Sequence, residues 1–138
     1  MKRERKEQVD NSKRALLVIE DETSVMSFLR AALERNGYTI VGATSGVEGL
    51  KLLETGSYMG VISDMRTPGG ISGADVHSWI QRNRPELSHR ILFITGDTVN
   101  QETMAILEQT GAPCIEKPFR VSQLLNSVET LLAGEGRR

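Results

Sequence analysis

A chain of 138 residues, 38% of them hydrophobic and 25% charged, has the length and composition of one globular domain with a single core. Its formal net charge of −1 offers no basic face for nucleic acid, and one cysteine, Cys114, excludes an internal disulfide or a four-cysteine metal site and fits a reducing compartment. No apolar run approaches the roughly 18 residues needed to span a bilayer, and the charged stretch from Met1 to Glu7 is no signal peptide, so a cytoplasmic location without membrane contact is expected.

Residues 1–14 are charged and lack a sustained apolar period, which reads as a tail or linker. Ala15 to Ile19 is a continuous apolar run, the pattern of a strand covered on both faces. Val25, Phe28, Leu29, Ala32 and Leu33 recur at helical spacing, and Asn36-Gly37 stops that first helix. Tyr38 to Ala43 is the second strand. Val47, Leu50, Leu52 and Leu53 populate the second helix, which ends near Gly56. Met59 to Ser63 forms a third strand that runs directly into Asp64, followed by the loop Thr67-Pro68-Gly69-Gly70-Ile71-Ser72-Gly73. Val76, Trp79 and Ile80 mark the third helix, which stops before Pro85; Arg90 to Thr95 is strand four, and Thr98 to Thr110 is helix four. Pro113 to Glu116 is a short fifth strand. Val121, Leu124, Leu125, Val128, Leu131 and Leu132 make the cleanest amphipathic stripe, the fifth helix, and residues 134–138 read as a disordered terminus.

Five strand–helix units in succession, joined by right-handed crossovers, predict a doubly wound parallel sheet over residues 15–133, flanked by five helices. The flavodoxin-like strand order 2-1-3-4-5 fits, and such folds bind ligands at the carboxyl ends of their strands. That edge would gather Glu20 and Asp21 after strand one, Asp64 after strand three, Thr95 at the end of strand four and Lys117 after strand five. Clustered carboxylates repel, and a bound Mg²⁺ relieves the conflict because it favours oxygen ligands. Taken singly, each residue has a plainer explanation. Asp21 or Glu22 would serve as a helix cap, Thr95 as a strand residue and Lys117 as a surface charge. Asp64 is harder to explain away, because a loop rather than a helix follows it.

Four segments, Val18-Ile19-Glu20-Asp21-Glu22, Ile62-Ser63-Asp64-Met65-Arg66-Thr67-Pro68-Gly69, Ile94-Thr95-Gly96 and Lys117-Pro118-Phe119, together resemble the receiver domains of two-component response regulators, over about Ala15 to Leu132. The resemblance implies that Asp64 accepts a phosphoryl group from a phosphohistidine on a histidine kinase or histidine phosphotransfer protein. It implies Mg²⁺ (or Mn²⁺) held by Asp21 directly, by Glu20 through water, by Asp64 and by the backbone carbonyl of Arg66. Lys117 would pair with Asp64 and then with phosphoryl oxygens, while Thr95 would hydrogen-bond the phosphoryl group and shift toward it. That shift would alter the surface of helix four, strand five and helix five, through which a homodimer is also conceivable. An isolated domain of this kind is a signalling module rather than a turnover enzyme.

The chain departs from the family pattern in places. Glu20 stands where Asp is more frequent, Gly96 where many members have Ala, and the Gly69-Gly70 loop is one residue longer than the simplest form. Cys114, three residues before Lys117, replaces the Tyr or Phe that many receivers use as a second switch element. A small thiol cannot swing as a ring does, and strand packing is the plainer role for it. His77 and His89 are expected on solvent-exposed positions, Trp79 on the sheet or its rim, and Met26, Met59 and Met104 as core filler. A phosphatase of the haloacid dehalogenase type would need a second Asp two residues after the first, where Asp21 is followed by Thr23. A nucleotide or flavin domain would need glycine in the first turn, where Glu20-Asp21-Glu22-Thr23-Ser24 has none. The remaining alternative is the receiver portion of a hybrid sensor histidine kinase, with the charged N-terminal stretch as its linker.

Overall fold

The computed structural model describes residues 15–96 and 100–136. The expected tail at 1–14, the expected start of the fourth helix at Thr98 and residues 137–138 lie outside the described residues, whereas residues 134–136, expected in a disordered terminus, continue the last helix. In chain order the elements are β1 (Ala15–Ile19), α1 (Thr23–Arg35), β2 (Thr39–Ala43), α2 (Gly46–Thr55), β3 (Gly60–Asp64) and α3 (Gly73–Asn83). A 3₁₀ turn (Pro85–Leu87) leads to β4 (Ile91–Thr95), α4 (Gln101–Thr110), β5 (Cys114–Glu116) and α5 (Val121–Gly136). The strands pair in parallel in the order β2-β1-β3-β4-β5, as the alternation of elements implies. Asp64 is the last residue of β3 rather than the first of a loop, because its backbone stays in register opposite Ile94.

The apolar runs explain the layers. β1, β3 and β4 are buried along their whole length, as interior strands of a sheet covered on both faces must be. Alternate residues then feed two cores. Leu16, Val18, Ile62, Leu92 and Ile94 meet α1 and α5 through Leu29, Leu33, Leu124 and Val128. Leu17, Ile19, Val61 and Phe93 meet α2 and α3 through Leu53, Val76 and Ile80, with Ile106 and Leu107 of α4 at the margin. β2 and the three-residue β5 form the edges and are only partly buried. A fully buried leucine contributes about 1.5–3 kcal/mol and a helix cap about 1 kcal/mol. Burial therefore decides which faces turn inward, and caps decide where helices begin.

The caps are local and explicit. Ser45 accepts from the Glu48 N–H at 3.1 Å, while Glu48 reaches back to the Thr44 N–H at 2.8 Å. Ser72 and Asp75 form a reciprocal capping box, and Asn100 caps α4. α1 begins differently: Glu22 occupies its N-cap position, yet no side chain caps it.

Two side chains stand opposite to their expected exposure. His77 is buried at 3% exposure, because Gly73, Val76, His77 and Ile80 recur at helical spacing on the inner face of α3. Its ring lies 6.1 Å from that of Phe93, whereas His89 is exposed as expected. Met104 is 48% exposed rather than core filler, since Thr103, Ile106, Leu107 and Thr110 take the inner face of α4. Val47 and Val121 are likewise exposed. Trp79, Met26 and Met59 pack at the edges of the two cores.

Burial, reinforced by the nearby charge of His89, lowers the His77 pKa below its ordinary value. The unfolded chain therefore takes up the proton first, and the stability His77 contributes is lost as pH falls below about 6.5. Thermal unfolding between about pH 7 and pH 5 should show a declining midpoint that is flatter in His77→Leu; parallel curves for the two proteins would contradict this.

Candidate functional site

Parallel pairing brings the ends of β1, β3, β4 and β5 to one edge. There, carboxylate oxygens of Glu20, Asp21 and Asp64 lie within 4.8 Å of one another. Glu20 and Asp64 are buried and Asp21 is exposed, so the cluster opens to solvent on one side. Each buried acid is anchored through its backbone or its neighbours. The Glu20 N–H donates to the Ala43 carbonyl at 2.9 Å, and its Oε2 accepts from the Glu22 N–H at 3.0 Å. The Oδ1 of Asp64 accepts from the Arg66 N–H at 3.2 Å.

Lys117 follows β5, and its N–H donates to the Thr95 carbonyl at 2.7 Å. Its ammonium reaches back across the edge to Asp64 Oδ2 at 3.0 Å and Glu22 Oε1 at 2.9 Å, with Glu20 Oε1 at 3.3 Å. The Lys117–Pro118 peptide bond is cis. Burial alone would lower the Lys117 pKa, but the hydrogen bonds to Glu22 and Asp64 and the charges of Asp64 and Glu20 raise it above the usual lysine range. Lys117 is therefore a fixed positive charge. For Glu20 the balance runs the other way: burial raises its carboxyl pKa, the Glu22 N–H lowers it, the Asp64 charge raises it and Lys117 lowers it, with a net upward shift.

The three clustered carboxylates, with one ammonium beside two of them, leave an excess of negative charge, and buried Glu20 Oε1 has only the 3.3 Å ion pair with Lys117 and no hydrogen bond. An all-oxygen donor set with an unsatisfied buried oxygen fits a hard divalent cation. The cluster can hold a metal ion.

Thr95 is buried at the end of β4, opposite Glu116 and one position beyond the Ile94 that faces Asp64. Arg66 is exposed beside the cluster. Cys114 stands apart. It pairs with Phe93, two positions back along the sheet from the Thr95–Glu116 pair, and packs half-buried against the core that Phe93 belongs to. Glu22 is the member that sequence reasoning assigned otherwise, as a helix cap. Its side chain leaves α1 uncapped and reaches Lys117, which is 95 positions away in sequence; no local spacing signals such a partner.

Gly73 fixes the floor of the site. A Cβ there would lie 2.8 Å from the Asp64 carbonyl oxygen and 3.2 Å from the Met65 Cα, so only glycine lets α3 begin against the backbone that carries Asp64. The Gly73 N–H closes this contact by donating to the Met65 carbonyl at 3.0 Å.

A family model described as the response regulator receiver domain matches residues 16–129. The chain belongs to that family and is a receiver domain of two-component systems. It is 31% identical over 88% of its length to the CAI-1 autoinducer sensor kinase/phosphatase CqsS of Vibrio cholerae, 18% of which it covers. It is 25% identical over 89% of its length to the uncharacterized transcriptional regulatory protein YkoG of Bacillus subtilis, 53% of which it covers. The chain thus spans about half of the one relative and less than a fifth of the other. The CheY-like receiver domain from Methanospirillum hungatei superposes with a TM-score of 0.81 at 22% identity, over 91% of this chain and 98% of that one, a likeness of fold. Among the described residues no helix is long and apolar enough to cross a membrane.

Two outcomes follow from this geometry. Gly73→Ala should lower stability by about 1–3 kcal/mol, read as a lower urea midpoint with unchanged slope, because backbone atoms rather than a flexible side chain must yield. Cys114 is pushed up to about 11 by burial and the Glu116 charge. At pH 8 it should therefore react with iodoacetamide about two orders of magnitude more slowly than free cysteine; labelling at the free-cysteine rate would contradict this placement.

Proposed function

We propose that this receiver accepts a phosphoryl group on Asp64 from a phosphohistidine of a histidine kinase or histidine phosphotransfer protein, in a reaction that depends on Mg²⁺ (or Mn²⁺). The observation that carries the reading is the setting of Asp64: a buried carboxylate at a strand end, 3.0 Å from a lysine ammonium and clustered with two further acids. A carboxylate oxygen of Asp64 attacks phosphorus. The bond from phosphorus to the partner's imidazole nitrogen breaks, its electron pair stays on that nitrogen, and an acyl phosphate forms on Asp64. Asp21, Glu20, Asp64 and the Arg66 carbonyl would hold the cation, which supplies charge neutralisation for the phosphoryl oxygens when bound.

Lys117 already pairs with Asp64 and is positioned to follow the charge onto the phosphoryl group. Thr95 ends β4, the strand next to β3, and its hydroxyl would hydrogen-bond a phosphoryl oxygen on Asp64. Its movement toward the phosphoryl group would pass the signal to the surface of α4, β5 and α5. Cys114 occupies the strand position from which many receivers present an aromatic switch, so the readout here runs through Thr95 without a ring.

Incubation with acetyl phosphate and Mg²⁺ should add one phosphoryl group by mass, while Asp64→Asn should gain none and Asp21→Ala should label far more slowly at the same Mg²⁺ concentration. Equal labelling of Asp64→Asn and the unaltered chain would overturn the assignment.

A further inference from the structure

The Lys117 ammonium has a third partner that phosphoryl transfer to Asp64 leaves without a role. Glu22 occupies the N-cap position of α1, but its carboxylate accepts from the Lys117 ammonium at 2.9 Å instead of from the helix N–H groups. The other two acids around the ammonium, Glu20 and Asp64, are buried beneath it, whereas the Glu22 side chain is 58% exposed at the rim. The main chain at this point is held independently, because the Glu22 N–H donates to Glu20 Oε2. Removing the Glu22 carboxylate therefore leaves the path of the backbone intact.

An ammonium has three donors, and here three carboxylates surround it. A phosphoryl group arriving on Asp64 brings oxygens that need one of those donors. Glu22 is the partner that water can most readily replace, so it is the one displaced. Its own charge also opposes the approach of an anionic phosphoryl donor.

We propose that Glu22 is a positioning residue that holds Lys117 at the mouth of the site before phosphorylation and competes with the incoming phosphoryl oxygens for it, so that it slows phosphoryl capture. The inference rests on the assignment of Asp64 as phosphoacceptor.

The test compares the unaltered chain with Glu22→Gln and Glu22→Ala. Labelling by acetyl phosphate in excess Mg²⁺ should be about two- to fivefold faster in Glu22→Ala, the size expected for losing one partly exposed ion pair. Glu22→Gln, which keeps an oxygen for the ammonium but no charge, should fall between. Calorimetric binding of beryllofluoride, a phosphoryl mimic, should tighten in the same order. Both gains should shrink as salt is raised to about 0.5 M, because an exposed pair is screened, and thermal midpoints should stay together, which a merely structural role would not produce. Equal or slower labelling in both variants, beside normal labelling of the unaltered chain, overturns the role of Glu22 alone. An unaltered chain that gains no phosphoryl group overturns the Asp64 assignment, and this role with it.

Discussion

The functional edge depends on how one ammonium is shared among acids that cannot lie together without it. Parallel pairing sends β1 and β3 to the same edge, and their ends place Glu20 and Asp64 beside each other with little water around them. Buried carboxylates are tolerated only when paired or hydrogen-bonded. Lys117 supplies the pairing from the far strand, and backbone N–H groups of Glu22 and Arg66 supply the rest. The compensation is incomplete, as Glu20 Oε1 records: it has the 3.3 Å ion pair with Lys117 but no hydrogen bond. A site left short of positive charge in this way has chemical reason to recruit a cation and then a group that comes with one.

The remainder of the fold serves that edge by keeping it rigid. Two cores on opposite faces of the sheet lock β1, β3 and β4 between helices, so the strand ends have little freedom to drift. Gly73 then brings α3 into contact with the Asp64–Met65 backbone. The Asp64 side is thereby built on packed backbone, while the Lys117 side is built on a long side chain that enters from a three-residue edge strand.

Much of this was legible in the residues themselves. Continuous apolar runs such as Ala15 to Ile19 and Ile91 to Thr95 can be satisfied only by strands covered on both faces, so their order and parallel arrangement followed from the intervening helices. The acidic strand ends were equally plain, because polar residues that abruptly end an apolar run mark the sheet edge. Two kinds of feature escaped. His77 and Met104 were placed by residue type, whereas the helical spacing of their neighbours fixes which side faces inward; the phase of Gly73, Val76 and Ile80 carries His77 inside. The pairing of Glu22 with Lys117 depends on the relative height of two loops above the sheet, and periodicity along the chain carries no information about that.

The exposure of Glu22 also determines the tempo at which its pair with Lys117 can act. Breaking it requires no backbone movement, only rotation about the side-chain bonds of two residues, one of them largely in water. Such rotations take picoseconds to nanoseconds at exposed positions, far faster than any encounter with a partner protein. The Glu22 carboxylate can therefore leave and regain the ammonium many times before each collision, while Lys117, 19% exposed, stays beside Asp64 and Glu20. A contact of this kind works as a weight on a rapid equilibrium, tuning how often the edge is ready, and never as a latch that must first be opened.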